Sequence, residues 1–487
     1  MTKHWSVLVT ASLATLLALF APAPVARADI FQWEYTNPAD PSQGKQQSTT
    51  LAPDGAGANA VPGTNLFNRN ITMAYLIGVD ISAATMASTN LSDADLSQAN
   101  AANANFYSAD LTGATMSQTN FTAALLQGAK LVNANLSQAD LTSADLSFDS
   151  PVGAVDLTGA NLTQANLSNA NFWGAQMTGA NLTGADVRGA VFYNVAGVGG
   201  STVAQLYSTA SYQAQDLAGL FLADHNLTNV NFAGQDLTNA SLRGAMLVGA
   251  NLTGAMVRGT DLVGTTYHGF TKEQLYSTAS YQASDLRGIA LGSNDLTGID
   301  LAGQDLTSAY LWATVLTNAN LHQANLTNAN LIVAGVTDAN LSQANLTGAG
   351  FEQANLTGAN LTGAQVRHAS FAYAGLTAAQ VYSTASYQAH DLTGIHLHAS
   401  EFTGANFAGQ NLTDASFQAA TLTGANFTNA NLTSASLSSA TLDGRQPHGR
   451  LPGRQPAWLG PEPTLQQRPS YAHCCRDPAR LRQQRLG

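Results

Sequence analysis

Only 10% of the 487 residues are charged and 7% aromatic, and 19 Lys and Arg against 30 Asp and Glu leave a formal charge of −11. Such a chain must face water with Asn, Thr, Ser and Gln, and its acidic balance excludes a nucleic-acid binder that works through a basic surface. Both cysteines lie near the C-terminus, at Cys474 and Cys475, which excludes a disulfide framework for the rest of the chain.

Residues 1–28 begin with Lys3 and His4, continue through an apolar run from Trp5 to Phe20, and end Ala26-Arg27-Ala28. A basic start, a short apolar core and a small-x-small site form a secretory signal, and the run is shorter than the ~20 residues that cross a bilayer. The expectation is export, with cleavage after Ala28 and no membrane span in the mature chain. Residues 29–64 are rich in Pro, Gln and Gly. Alternation of Phe31, Trp33 and Tyr35 places them on one face of a short strand, and the segment is expected to cap the open end of whatever follows.

From 65 to 192, and again from 217 to 443, the chain counts in fives. The clearest run is Ala319 to Gly363, ANLHQ ANLTN ANLIV AGVTD ANLSQ ANLTG AGFEQ ANLTG ANLTG, nine units without an insertion. Ala and the Leu, Val or Phe two residues later point to one side of an extended backbone, and two residues remain to turn a corner. Neither a helix period nor continuous strand alternation keeps that apolar pair on one face. Short straight sides joined by corners do, and stacking the resulting coils about 4.8 Å apart buries the Leu column.

The pattern A(D/N)Lxx resembles the pentapeptide-repeat family, here as an exported bacterial member. That resemblance implies an all-β fold, a right-handed quadrilateral β-helix with four units, twenty residues, per turn. It also implies that such rods can pair end to end. With twenty residues per turn, Phe172 should stack on Phe192, Phe351 on Phe371 and Phe407 on Phe427. The structural core should include Leu321, Leu326, Leu341, Leu346 and Leu356 beside Phe351 and Phe371.

Four features interrupt the count. SFDSPVG, Ser147 to Gly153, shifts the phase by one residue, and Pro151 cannot donate to a ladder, so a bulge or corner loop is expected. The other three are copies: STVAQLYSTASYQAQDL from Ser201, with its candidate helix in the interruption at 193–216, and related stretches beginning at Phe270 and Leu376. In each, a Thr (202, 271, 377) precedes a Gln (205, 274, 380) by three residues, the spacing of a capping box. The expectation is a short helix that leaves the wall and returns, the later two near 271–280 and 377–386. The competing reading is continued β-coil, because Tyr207 and Tyr212 stand five apart and in phase with Leu217. Each copy leads into a further matched stretch, AGQDLT or AGQNLT at Ala233, Ala302 and Ala408.

Residues 444–487 change composition, with eight Arg, seven Pro and both Cys. Codons for Gly444 to Pro456 have the form GGN CGN CAR CCN and, read one nucleotide later, permit Gly-Ala-Asn-Leu twice. The segment is therefore expected to be an out-of-frame, disordered continuation of the array. It contributes +6 and residues 1–28 contribute +2, so 29–443 carry −19.

No Ser/His/Asp arrangement, paired-acid cleft or HExxH stands out, and a rod filled by its own side chains offers no pocket, so neither an enzyme nor a cofactor is expected. His390, His396, His398 and Glu401 crowd one repeat. Of these, His396 and His398 flank an inward Leu and face outward together, a spacing that can hold a metal ion, but outward positions are the variable ones in this repeat, so a solvated surface and no metal are expected. GVGGST, Gly197 to Thr202, lacks the Lys of a phosphate loop. The expected role is an exported, non-enzymatic scaffold or interaction protein, its partner an unidentified protein or envelope component and not nucleic acid. Two alternatives are carried. The first is a DNA mimic acting on type II topoisomerases, as some members of the family are, suggested by the acidic rod. The second is a binder of ice or polysaccharide through Thr ladders such as Thr327, Thr347 and Thr357. The gene's nucleotides check the frame expectation: codons that cannot spell the repeats contradict it.

Overall fold

A computed structural model describes residues 29–150, 152–193 and 202–442. The expectations for 1–28, Pro151, most of GVGGST and 444–487 lie outside them. The chain is a right-handed quadrilateral β-helix in which each five-residue unit forms one side and residues twenty apart pair as parallel bridges, as in Asn320, Asn340 and Asn360.

Tracing the backbone donors of one unit, Leu341 to Asn345, shows why the repeat has this sequence. Leu341 N–H donates up the rod to Asn360 O (2.8 Å), and Gln343 N–H to Thr362 O (2.9 Å). Asn345 N–H donates down to Ala324 O (3.0 Å), and Ala344 N–H closes the corner on Leu341 O (3.2 Å). The remaining donor, Ser342 N–H, goes to the side chain of Asn340 (3.2 Å). All five are paired, as burial against a neighbouring coil demands. Asn or Asp before the Leu therefore satisfies the one amide that neither neighbouring coil reaches. The corner is a turn whose third residue has positive φ, 59° at Gln343, which explains why Gly, as at Gly348, and Asn recur there.

Inside, Leu321, Leu326, Leu341, Leu346 and Leu356 are fully buried, as are Phe351 and Phe371. Each Leu contributes roughly 1.5–3 kcal/mol. The phenylalanine pairs stack as a twenty-residue turn requires, with centroids 5.2 Å apart for Phe172–Phe192 and Phe351–Phe371 and 5.3 Å for Phe407–Phe427.

Residues 29–64 lie across the first coils. Strands β1 (Phe31–Tyr35) and β2 (Lys45–Leu51) form an antiparallel hairpin. Trp33 N–H and Phe31 O bond the backbone of Met73 and Tyr75, while Ile30, Ala52 and Ala58 enter the core. Trp33 Nε1 donates to Asp93 O (2.6 Å), and Lys45 sits over the Trp33 ring and pairs with Asp95 at 2.9 Å. At SFDSPVG the bridge spacing lengthens from 20 residues (Leu125 to Asp145) to 26 (Lys130 to Asp156), the extra residues forming a loop closed by an Asp149–Gly153 bridge.

The three copied interruptions are helical, but not as expected. Each is two short helices: α1 (Thr202–Ser208) and α2 (Ala210–Gln213), α3 (Lys272–Tyr276) and α4 (Ala279–Gln282), α5 (Ala378–Ser383) and α6 (Ala385–Gln388). Capping boxes form at Thr271–Gln274 and Thr377–Gln380. A buried Thr (209, 278, 384) in extended conformation breaks each pair and caps the second helix. Nor do the helices leave the wall, for Leu206, Leu275 and Val381 fill the core where a repeat Leu would stand. Among the described residues no helix is long and apolar enough to cross a membrane.

Replacing Leu341 with Ala should cost about 2–5 kcal/mol and Leu341→Asp should unfold at least the adjoining coils. Asn340→Ala, which orphans Ser342 N–H, should cost about 1–3 kcal/mol. Urea denaturation measures all three.

Candidate interaction surfaces

The outward side chains sort onto four faces. Asp285, Asp305, Asn325 and Asn345 follow one another up the first, Ala290, Tyr310, Asn330 and Gly350 up the second, Asp295, Val315, Gly335 and Asn355 up the third, and Asp300, Asn320, Asn340 and Asn360 up the fourth.

The helical pairs occupy the fourth face and its corner with the first, where they stand in for a missing coil side. Tyr212 Oη donates to Asn231 O (2.7 Å) while Asn231 N–H donates to Tyr207 Oη (2.7 Å). Tyr281 and Tyr276 do the same for Asp300, both at 2.8 Å, and Tyr387 and Tyr382 for Asn406. Ser211, Ser280 and Ser386 hydroxyls receive the N–H groups of Val187, Val257 and Val366 from the coil below. The Gln of each downstream AGQ stretch, Gln235, Gln304 or Gln410, caps the Tyr carbonyl that ends the helix at 3.0 Å. The long-range duplication in the sequence is thus one hydrogen-bonded module written three times.

Burial, reinforced by the Asp300 charge, pushes the Tyr281 phenol up to about 12, and burial raises Tyr212 and Tyr387 as well. Under the first module, partial burial works to raise the Asp186 carboxyl. Hydrogen bonds from Arg188 and Ser211 outweigh it and bring the group down to about 2.

The predicted site residues fall apart or turn inward. His390 lies at the corner beside Asp391, His396 and His398 on the second face, and Glu401 on the third, so only two of the four meet. The His396 and His398 rings stack 5.5 Å apart, and desolvation against the wall lowers the His396 pKa, joined by the charge of His368 and opposed by Glu352. Among the described residues no group of three or more His, Cys, Asp and Glu is placed to hold a metal. Thr327 and Thr347 stack on the first face, but Thr357 is on the third. Their hydroxyls donate to Asn325, Asn345 and Asn355 at 2.6–2.7 Å, so the donors a periodic ligand would use are already engaged. A cavity of about 30 Å³, lined by Met177, Leu182, Phe192 and Leu206 among others, holds no more than a water.

Reading the sequence five residues at a time misses the second face. It carries Leu125, Phe148, Trp173, Tyr193 and Phe221 in one patch and Tyr310, Trp312, Ile332, Val333 and Tyr373 in another. Only columns read at intervals of a whole coil bring these together.

A family model described as pentapeptide repeats matches residues 80–118, 89–128, 119–148, 156–192, 226–264, 295–331, 337–371, 391–428 and 411–444, together more than half the chain. Similar solved structures include HetL of Nostoc sp. strain PCC 7120, 23% identical over 64% of this chain and 92% of that one, with a TM-score of 0.15. Rfr23 of Cyanothece 51142 is 33% identical over 21% and 58%, TM-score 0.12. Full-length QnrB1, a plasmid-mediated fluoroquinolone resistance protein, is 14% identical over 48% and 92%, TM-score 0.17. A search of the curated proteins finds no match.

The phenol shift carries a sign. A raised Tyr281 pKa gives stability that is complete below pH 10 and lost as pH rises through about 12. Thermal melts across that window should show the loss. Tyr281→Phe should reduce it, Tyr212 and Tyr387 being raised as well, while lowering stability at neutral pH by about 0.5–1.5 kcal/mol through the lost bond to Asp300.

Proposed function

The chain belongs to the pentapeptide-repeat family, and on that premise we propose that it is an exported, non-enzymatic scaffold that presents its outer faces to a protein or envelope component. The observation that supports this reading is the filled interior. Inward columns such as Leu321 and Leu341 are completely buried, which leaves chemistry to the flat outer faces. Asn and Thr side chains on the first face bond along the rod, Asn345 Nδ2 reaching Asn325 at 3.2 Å and Thr327 at 3.0 Å, and such a face is suited to rigid spacing. Export rests on the signal-like residues 1–28.

Expression in a bacterial host followed by fractionation and intact-mass measurement tests the proposal. A mature chain beginning at Asp29, found outside the cytoplasm, is the expected result. A cytoplasmic chain that keeps its first 28 residues would contradict export and favour the DNA mimic acting on type II topoisomerases.

A further inference from the structure

We propose that Met256 is an oxidation site, its sulfoxide supplying the second helical module with a hydrogen-bond acceptor that the first module takes from Asp186. The stretch below each module is written three times, as Asp186-Val187-Arg188, Met256-Val257-Arg258 and Gln365-Val366-Arg367, each directly after Asn-Leu-Thr-Gly-Ala. Only the residue before the valine varies. Two of the copies place a side-chain oxygen there, and the second places a sulfur.

In the first copy that oxygen is used twice. Asp186 Oδ1 accepts the Ser211 hydroxyl at 2.8 Å and the Arg188 N–H at 3.1 Å, while Ser211 itself accepts Val187 N–H at 2.9 Å. The second copy keeps half of this arrangement. Val257 N–H donates to the buried Ser280 of α4 at 2.8 Å, but the thioether of Met256 is a poor acceptor for the Ser280 hydroxyl or for Arg258 N–H. The Met256 backbone is nonetheless that of an ordinary unit. It pairs with Asp236 in the outward ladder and donates its N–H to Gln235 O at 3.0 Å.

Oxidation turns the sulfur into the missing acceptor. The Sδ lone pair attacks one oxygen of hydrogen peroxide, the S–O bond forms as the O–O bond breaks, and hydroxide leaves with the second oxygen and becomes water on protonation. Sulfur loses two electrons and the peroxide gains them. The new oxygen stands as many bonds from Cα as Glu401 Oε1, which accepts the N–H two residues on, that of Thr403, at 3.2 Å. An oxygen at that reach therefore serves this kind of unit. Access separates Met256 from the inward methionines, for it is 45% exposed and Met86, Met116 and Met177 are at most 1% exposed. Met246 is exposed as well, but on the opposite side of the same coil, away from Ser280.

The full chain carrying Met246→Leu should be treated with hydrogen peroxide, its oxidised methionines located by peptide mass mapping and its amide exchange followed. Met256 should oxidise well before Met86, Met116 and Met177. Its oxidation should slow exchange at the Arg258 amide about two- to tenfold, the worth of one neutral hydrogen bond, without lowering the melting temperature. Added Met256→Asp should show the slow exchange with no peroxide, and added Met256→Leu should lose the response. Oxidation of Met256 no faster than of the inward methionines, exchange at Arg258 unchanged or faster once Met256 is oxidised, or the same response in Met256→Leu would overturn the proposal.

Discussion

A side of five residues has five backbone donors, and every one must find a partner in a wall pressed between two other coils. Four are answered by geometry, since two point up, one points down and one closes the corner. The fifth is answered by a side chain, Asn340 at Ser342 or Asn345 at Thr347. That one Asx contact links the whole repeat. Most units make it with Asn or Asp before the Leu, while Tyr310, Val315, Gly335 and Gly350 stand there without it; where made, it orients the following Thr so that its hydroxyl joins the same oxygen.

The three helical modules show the same constraint met by other means. Where the chain departs from the repeat, the adjacent coils still present backbone groups that need partners. Tyrosine hydroxyls supply both a donor and an acceptor to a single residue above, and serine hydroxyls accept from a valine below. The inserted residues thus enlarge one corner without opening the wall. They also explain why the matched stretches are longer than the helices, because the capping Gln235, Gln304 and Gln410 sit a coil further on.

Much of this was legible in the sequence, for a physical reason. A five-residue period with apolar residues two apart determines the side, and the Phe172–Phe192 pairing determines the turn, since both depend only on spacing. The capping boxes at Thr271 and Thr377 were legible for the same reason. What spacing could not give was the second short helix, whose start depends on Thr209, Thr278 and Thr384 turning inward to bond the preceding carbonyl. Nor could it show that neighbours in sequence, such as His390 and Glu401, would land on different faces. The apolar second face is the reverse case, since Trp173 and Trp312 are remote in sequence and become comparable only once every residue is assigned to a rung.

The central claim is that, where Asn or Asp precedes the Leu, its side chain holds the amide after the Leu, which no neighbouring coil reaches. Residue-resolved amide hydrogen exchange over Ala319 to Gly363 tests it most directly. Protection of Ser342, Thr347 and Thr357 well above that of an unstructured amide, and lost at Ser342 in Asn340→Ala, is the predicted result. Free exchange at these amides beside protected Leu341 and Gln343 would contradict it.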